Sequence, residues 1–197
     1  MAISENEQAR AASTLISDAR RSPAGFVRLY RRYYDDVFRY CVHRLFERHA
    51  AEDVTSEVFL RVVEHWHRFD GRDEQQFRGW LYRIAGNAVN SHLRKRGGRQ
   101  RLLQRLDRPP ESIHTTPEDP EAERFALLKT VMLALKPGYQ AIITLRFFEN
   151  LKLTEIAEVL GCSPGTARSR LARALAQLRK RLKAAGAFDR NGGDRDG

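Results

Sequence analysis

Two stretches of this chain carry side chains able to do recognition chemistry. Thr166, Arg168, Ser169, Arg170 and Arg173 set guanidinium forks and hydroxyls along one short segment. A guanidinium can donate bidentately to a guanine edge, while Ser and Thr serve phosphates or either base. Gln76, Phe77, Arg78, Trp80, Arg83, Asn87 and Asn90 set rings, cations and amides along another. Aromatics beside Arg and Asn suit unstacked, single-stranded bases, although for Trp80 alone a place in the core is the stronger reading. Neither stretch contains a counter-charge. No acid occurs between Gln75 and Leu106, nor between Val159 and Phe188. A merely solvated helix mixes signs to gain i,i+4 pairs, so these runs point to a polyanion.

Bond-making chemistry has no comparable support. Asp35, Asp36 and Asp119 stand outside any carboxylate cluster, and there is no nucleotide-binding glycine loop. Cys41 and Cys162 lack paired-ligand spacing, and both read as small buried hydrophobes. His65 and His67 point in different directions on a helix. The expectation is therefore no enzyme, no metal and no cofactor. The formal net charge of +10 favours nucleic acid as partner. No apolar run approaches the roughly 20 residues a bilayer span needs, and Met1 to Ser22 shows no signal-peptide core. A cytoplasmic protein without membrane insertion is expected.

The elements that must position these residues are helices throughout. The second half is read most sharply. Thr154 can cap a short helix with Glu155 in its first turn, and Ile156, Ala157 and Leu160 share a face. Gly161 suits a left-handed helix end, and Ser163-Pro164 restarts a helix as cap and first position. Ala157 and Ala167 are small enough for the two helices to cross closely. That is helix-turn-helix spacing, with Thr166 to Arg173 offered to a major groove.

Before it, Ser22-Pro23 starts a helix over about 24–46 whose apolar face is Phe26, Tyr30, Tyr33, Val37, Cys41 and Leu45. A second helix spans about 51–67 and buries Val54, Val58, Phe59, Val62 and Val63. After a polar turn at Gly71, a third spans about 76–96, with Phe77, Trp80, Leu81, Ile84, Ala85 and Ala88 as its stripe. Gly97 and Gly98 end it. Further helices over 121–135 (burying Phe125, Leu128, Met132 and Leu135) and 139–148 precede the helix-turn-helix. Its last helix continues as a stripe of Leu171, Leu175, Leu178 and Leu182.

The fold class is all-α: two small helical bundles joined by a flexible acidic linker, the second containing the helix-turn-helix. The parts are a flexible lead (1–22), a first bundle (23–99), a linker (100–120), a second bundle (121–185) and a disordered tail (186–197). Pro109, Pro110, Pro117 and Pro120 resist helix in the linker. Asp107, Glu111, Glu118, Asp119, Glu121 and Glu123 reverse the sign of charge there, as a spacer or as a nucleic-acid mimic in a basic channel.

This order of parts resembles the extracytoplasmic-function (ECF, group 4) sigma factors of the sigma-70 family over about residues 24–185. Ala51-Glu52-Asp53-Val54-Thr55-Ser56-Glu57-Val58-Phe59 looks like the family's polymerase-clamp helix. Phe77-Arg78-Gly79-Trp80-Leu81-Tyr82-Arg83-Ile84-Ala85-Gly86-Asn87 looks like its −10 helix. Pro164 to Leu171 resembles its −35 recognition helix. The resemblance implies that Asp53, Ser56 and Glu57 meet core RNA polymerase, with Ser56 standing where Gln is usual. It implies that the loop Asp70 to Gln76, longer here than the family's usual loop, captures an unstacked −10 base with Phe77. Arg78, Arg83, Asn87 and Asn90 would serve that strand, and Thr166, Arg168, Ser169, Arg170 and Arg173 the −35 groove. Core polymerase and promoter DNA are the implied partners, and an anti-sigma factor is a further one. The competing reading is a helix-turn-helix regulator that binds duplex DNA without polymerase.

Overall fold

The computed structural model describes residues 14–104 and 120–185, with side chains described for 14–97 and 122–185. The expected linker falls largely outside the described residues, as do the expected tail and the first thirteen residues. All described regular structure is helical.

Residues 14–21 (α1) are helical and bury Ile16 and Ala19, which corrects the expectation of a frayed lead. The sequence offered too few apolar residues there to reveal a period. Helix α2 is Pro23–Leu45, with Ser22 Oγ accepting from Gly25 N–H at 3.0 Å and Phe46 left-handed at its end. Helix α3 is Arg48–His65, followed by a tight turn at Trp66–Arg68. Helix α4 is Glu74–Gln104 and runs straight through Gly97 and Gly98. Glycine weakens a helix by only about 1 kcal/mol, so two of them need not stop one. The remaining elements are α5 (Pro120–Leu133), α6 (Pro137–Ile143) with a wider π turn over Thr144–Phe148, α7 (Leu153–Leu160) and α8 (Pro164–Ala184).

In the first bundle, α2, α3 and α4 pack around Tyr33, Val37, Cys41, Val54, Val58, Phe77, Leu81 and Ala85. Burial pushes the Cys41 thiol up to about 11, as suits a core position. Several apolar expectations shift by one helical position. Leu29 and Tyr40 are buried, while Tyr30 and Val63 face outward. Arg44 is fully buried. Its guanidinium donates to Tyr40 Oη at 2.8 Å and to Asn90 Oδ1 at 2.9 Å.

In the second bundle, α6 and α7 pack on α8 around Ile142, Leu145, Ile156, Ala157, Ala167 and Ala174. The leucine stripe of α8 lies at the margin, with Leu175 exposed, and Phe125 of α5 is exposed as well.

The two bundles touch. Glu149 leaves the π turn and lies buried against the first bundle. Its Oε2 accepts from Arg39 Nη2 at 3.0 Å and from the Tyr82 hydroxyl at 2.9 Å. His43 stacks on Phe148 with ring centroids 4.1 Å apart. Burial raises the Glu149 carboxyl above the ordinary carboxylate range, against the lowering effect of Tyr82 and Arg39. A carboxyl that is raised only while buried binds its proton more tightly in the joined state. Glu149's own contribution to the contact is therefore strongest at low pH and weakens as pH rises through its value, while His43, held below the ordinary imidazole range by burial and by Arg39, contributes in the opposite sense as pH falls. Glu149→Ala leaves Arg39 and Tyr82 without their acceptor and costs the contact about 1–3 kcal/mol. The expected outcome is a larger radius of gyration by small-angle scattering at one fixed pH; an unchanged radius would assign the seam to other residues.

Candidate nucleic-acid interface

The helix-turn-helix forms as the spacing predicts, with one change at its start. Gly161 takes φ 61°, Cys162 N–H reaches Ala157 O at 2.9 Å, and Ala157 and Ala167 are buried at the crossing. Helix α7 begins at Leu153, so Thr154 lies inside it. The end is closed instead by Glu155, whose Oε2 accepts from Lys152 N–H at 2.6 Å. Acceptance by a first-turn carboxylate also suits the positive helix end. Ser163 Oγ accepts from Thr166 N–H at 3.1 Å, as expected of the cap.

Thr166, Arg168, Ser169 and Arg173 are exposed on α8 and Arg170 is half-buried. Ser169 Oγ donates to Thr166 O, and Arg173 lies back along the helix, Nε to Ser169 O at 3.2 Å. Among the described residues, none of these arginines has an ion-pair partner. Thr166, Ser169 and Arg173 share one exposed face of α8, with Arg168 to the far side of it, and their cations and hydroxyls match the chemistry of phosphates and base edges.

The second candidate surface centres on a groove of about 750 Å³ lined by Phe69, Asp70, Gly71, Gln76, Trp80 and Arg83, among others. Its floor is an aromatic cluster. Trp80 lies against Phe69 with centroids 5.0 Å apart, and Phe77 packs behind both, against Tyr33 and Trp66. Three expected contacts, Gln76, Trp80 and Arg83, thus converge on one opening. Phe77 does not. It is 0% exposed and supports the groove from inside, so the expectation that its ring meets a base is corrected. Its place in the core stripe was equally legible, and the packing decides for the core.

The loop that walls the groove is braced at several points. Asp73 Oδ1 accepts from Gln76 N–H at 2.8 Å, and Gln76 Oε1 accepts from Arg72 N–H at 2.7 Å. Tyr33 donates to Glu74 Oε1 at 2.9 Å. Gly71 has no room for a side chain, because an added Cβ would stand 2.5 Å from the Phe69 ring. Arg20, from α1, donates to two loop carbonyls.

The remaining expected contacts divide. Asn87 is exposed one helical turn beyond Arg83. Asn90 is half-buried and spends its carbonyl on Arg44. Arg78 Nη1 lies 3.9 Å from Glu155 Oε1, and Arg83 Nη2 donates to Glu158 O at 2.6 Å. Helix α7 thereby occupies cations of α4, and Glu158 lines the groove as well. Sequence reasoning missed Arg20 and Glu158, since contacts between elements so distant in the chain leave no periodic signal.

On α3, Asp53 and Ser56 are exposed, and Glu57 pairs with Arg61 at 2.5 Å. Leu60 and Val63 stand 59% and 55% exposed one turn further along. Among the described residues no helix is long and apolar enough to cross a membrane. Nor does any group of three or more His, Cys, Asp or Glu among them stand ready to hold a metal ion.

The family model of Sigma-70 region 2 matches residues 29–99, and that of Sigma-70, region 4 matches residues 125–178. The chain is 36% identical over 160 residues to the ECF RNA polymerase sigma factor BldN of Streptomyces coelicolor, covering 78% of the chain and 60% of that relative. It is 34% identical over 162 residues to the ECF RNA polymerase sigma factor SigE of Mycolicibacterium smegmatis, with shares of 78% and 60%. The chain thus spans about 60% of the length of these two curated relatives. To the RNA polymerase sigma-H factor of Pseudomonas aeruginosa it is 30% identical over 174 residues, 79% of the chain and 84% of that protein. Its fold matches the sigma factor RpoE of Bartonella quintana, solved with the anti-sigma factor NepR, at TM-score 0.61 and 21% identity, covering 80% of this chain and 96% of that one. It matches CnrH, solved with the cytosolic domain of CnrY, at TM-score 0.62 and 23% identity, covering 88% and 98%.

Asn90 provides a direct check on which side chains are structural. Asn90→Ala strips a partner from a buried guanidinium and lowers unfolding free energy by about 1.5–3 kcal/mol. Chemical denaturation measures it; unchanged stability would return Asn90 to the nucleic-acid surface.

Proposed function

The chain belongs to the ECF sigma factors of the sigma-70 family, and on that premise we propose that it binds core RNA polymerase, directs it to promoters through −35 and −10 elements, and assists opening of the duplex. Convergence of Gln76, Trp80 and Arg83 on one braced groove, beside a separate cationic helix-turn-helix, is the observation that carries the reading. A stand-alone duplex reader has use for the second surface but none for the first.

The first bundle (23–99) would serve polymerase and the −10 element, and the second (121–185) the −35 element. Asp53, Ser56 and Glu57, with exposed Leu60 and Val63, give α3 an acidic and apolar face suited to a protein partner. The groove would receive a flipped base, whose extraction costs a few kcal/mol that stacking on Trp80 and hydrogen bonds return. Arg168, Arg170 and Arg173 would read the −35 major groove and its phosphates. Promoter engagement requires Arg78 and Arg83 to leave α7 for DNA, so the joined state binds promoter weakly. Holding both bundles on polymerase raises their effective concentration along the DNA. No catalytic step is assigned to the chain itself, which would act in the cytoplasm. An anti-sigma factor is a further partner in this reading, because the structural neighbour RpoE is a sigma factor solved with the anti-sigma factor NepR.

Run-off transcription with core polymerase on genomic fragments tests the proposal. Defined transcripts are expected only with the added chain; tight, specific promoter binding without polymerase and no transcript would favour the stand-alone regulator. Asp53→Ala and Glu57→Ala should weaken polymerase binding while leaving helicity intact. Arg173→Ala should cost about 1–3 kcal/mol of −35-dependent affinity.

A further inference from the structure

We propose that Arg20 is a positioning residue for the −10 groove, through which α1 fixes the loop at 69–76 in the shape that accepts an unstacked base. The inference rests on the promoter reading above and adds a residue that precedes the matched region 2 altogether. A single nitrogen, Arg20 Nη2, donates to Phe69 O and to Gly71 O, each at 2.8 Å. The guanidinium carbon also lies 5.4 Å from the centre of the Phe69 ring. Phe69 and Gly71 both line the groove, and Phe69 is the ring on which Trp80 rests.

The far end of the loop has its own braces in Asp73, Gln76 and Tyr33. At the near end, Arg20 is the side chain that grips the backbone of Phe69 and Gly71. Two carbonyls drawn to one cation fix the turn between them, and charge-assisted hydrogen bonds are roughly twice as strong as neutral ones.

Arg20 can do this only if α1 is itself immobile. It is docked tightly. Ile16 and Ala19 are buried. Asp18 O lies 2.1 Å from where a Cβ on Gly25 would stand, so α2 admits only glycine at the crossing. Asp18 also pairs with Arg28 at 2.8 Å. Helix α1 is thus a bracket from α2 to the loop. Arg20 touches no base itself; it decides how well the groove is formed before a base arrives, which is where preorganisation gains affinity.

The test uses the full chain with core polymerase on a promoter found by run-off, and on the same promoter with the captured −10 base replaced by an abasic site. For the unaltered chain, removing the base should slow opening about tenfold, the equivalent of about 1.4 kcal/mol of the stabilisation a pocket returns on a flipped base. For Arg20→Ala, opening on the intact promoter should fall by a similar factor, and the abasic change should cost little more. The intact-to-abasic ratio is taken within one preparation, so a smaller folded fraction cancels. Affinity for core polymerase should be unchanged. An unaltered ratio in Arg20→Ala would overturn the proposal, as would equal losses on both templates. Transcription by the unaltered chain with no sensitivity to the abasic site would also overturn it, while leaving sigma activity standing. Absence of any transcript from the unaltered chain would instead sink the promoter reading.

Discussion

A carboxylate taken out of water is the constraint around which the two bundles are arranged. Glu149 has one oxygen satisfied by Arg39 and Tyr82 and one, Oε1, with no partner among the described residues. An unpaired buried carboxylate is costly, and its charge is tolerated only while both donors stay in place. Those donors come from α2 and α4 of the first bundle, whereas Glu149 comes from the turn before the helix-turn-helix. Burial therefore exists only when the halves are joined. Such a seam specifies a register well and adds little net stability.

Joining the halves also places the acids of α7 on the cations of α4. Glu155 approaches Arg78, and the Glu158 carbonyl accepts from Arg83. The carboxylate is a fair substitute for a phosphate, and the carbonyl for a base-edge acceptor. The cations of the candidate groove are thereby partly engaged by the second bundle's own helix. The sequence pointed to the linker acids as occupants of a basic channel, whereas among the described residues these cations are met by α7. In a chain of net charge +10, these α7 groups offset some of the cationic charge of α4 in the joined state.

What sequence could reveal follows the range of the interactions. The turn at Gly161, the cap at Ser163 and the close crossing at Ala157 and Ala167 are local rules, and each was legible. The core stripe of α4 was legible in outline because it repeats with the helical period. The buried Arg44 was not. It sits at a polar-looking position, and its burial depends on acceptors at Tyr40 of its own helix and at Asn90 of the distant α4. For the same reason Asn90 was read as facing nucleic acid. The helicity of 14–21 was invisible because two small buried contacts, Ile16 and Ala19, suffice to dock it once Gly25 allows close approach. At the candidate groove, Trp80 and Arg83 were identifiable by type. Which ring faced outward was not, because Phe77 and Trp80 are three apart and either could have been the wall.

The exposed surfaces separate by chemistry. Helix α3 shows acids next to Leu60 and Val63, and the second bundle leaves Phe125 and Phe147 in solvent. Apolar exposure next to acid is poor for DNA and good for protein. Helix α8 and the outer face of α4 show cations, hydroxyls and amides, with Trp80 only half exposed. If the chain worked by reading duplex DNA alone, its apolar exposure would have to serve self-association, and one face would suffice. A chain with an apolar, acidic face on α3 and cationic faces on α4 and α8 is better explained by a partner that holds both bundles at once, with DNA laid across the cationic sides. Each bundle then needs only modest affinity on either face, and specificity arises from the requirement that all faces be satisfied together.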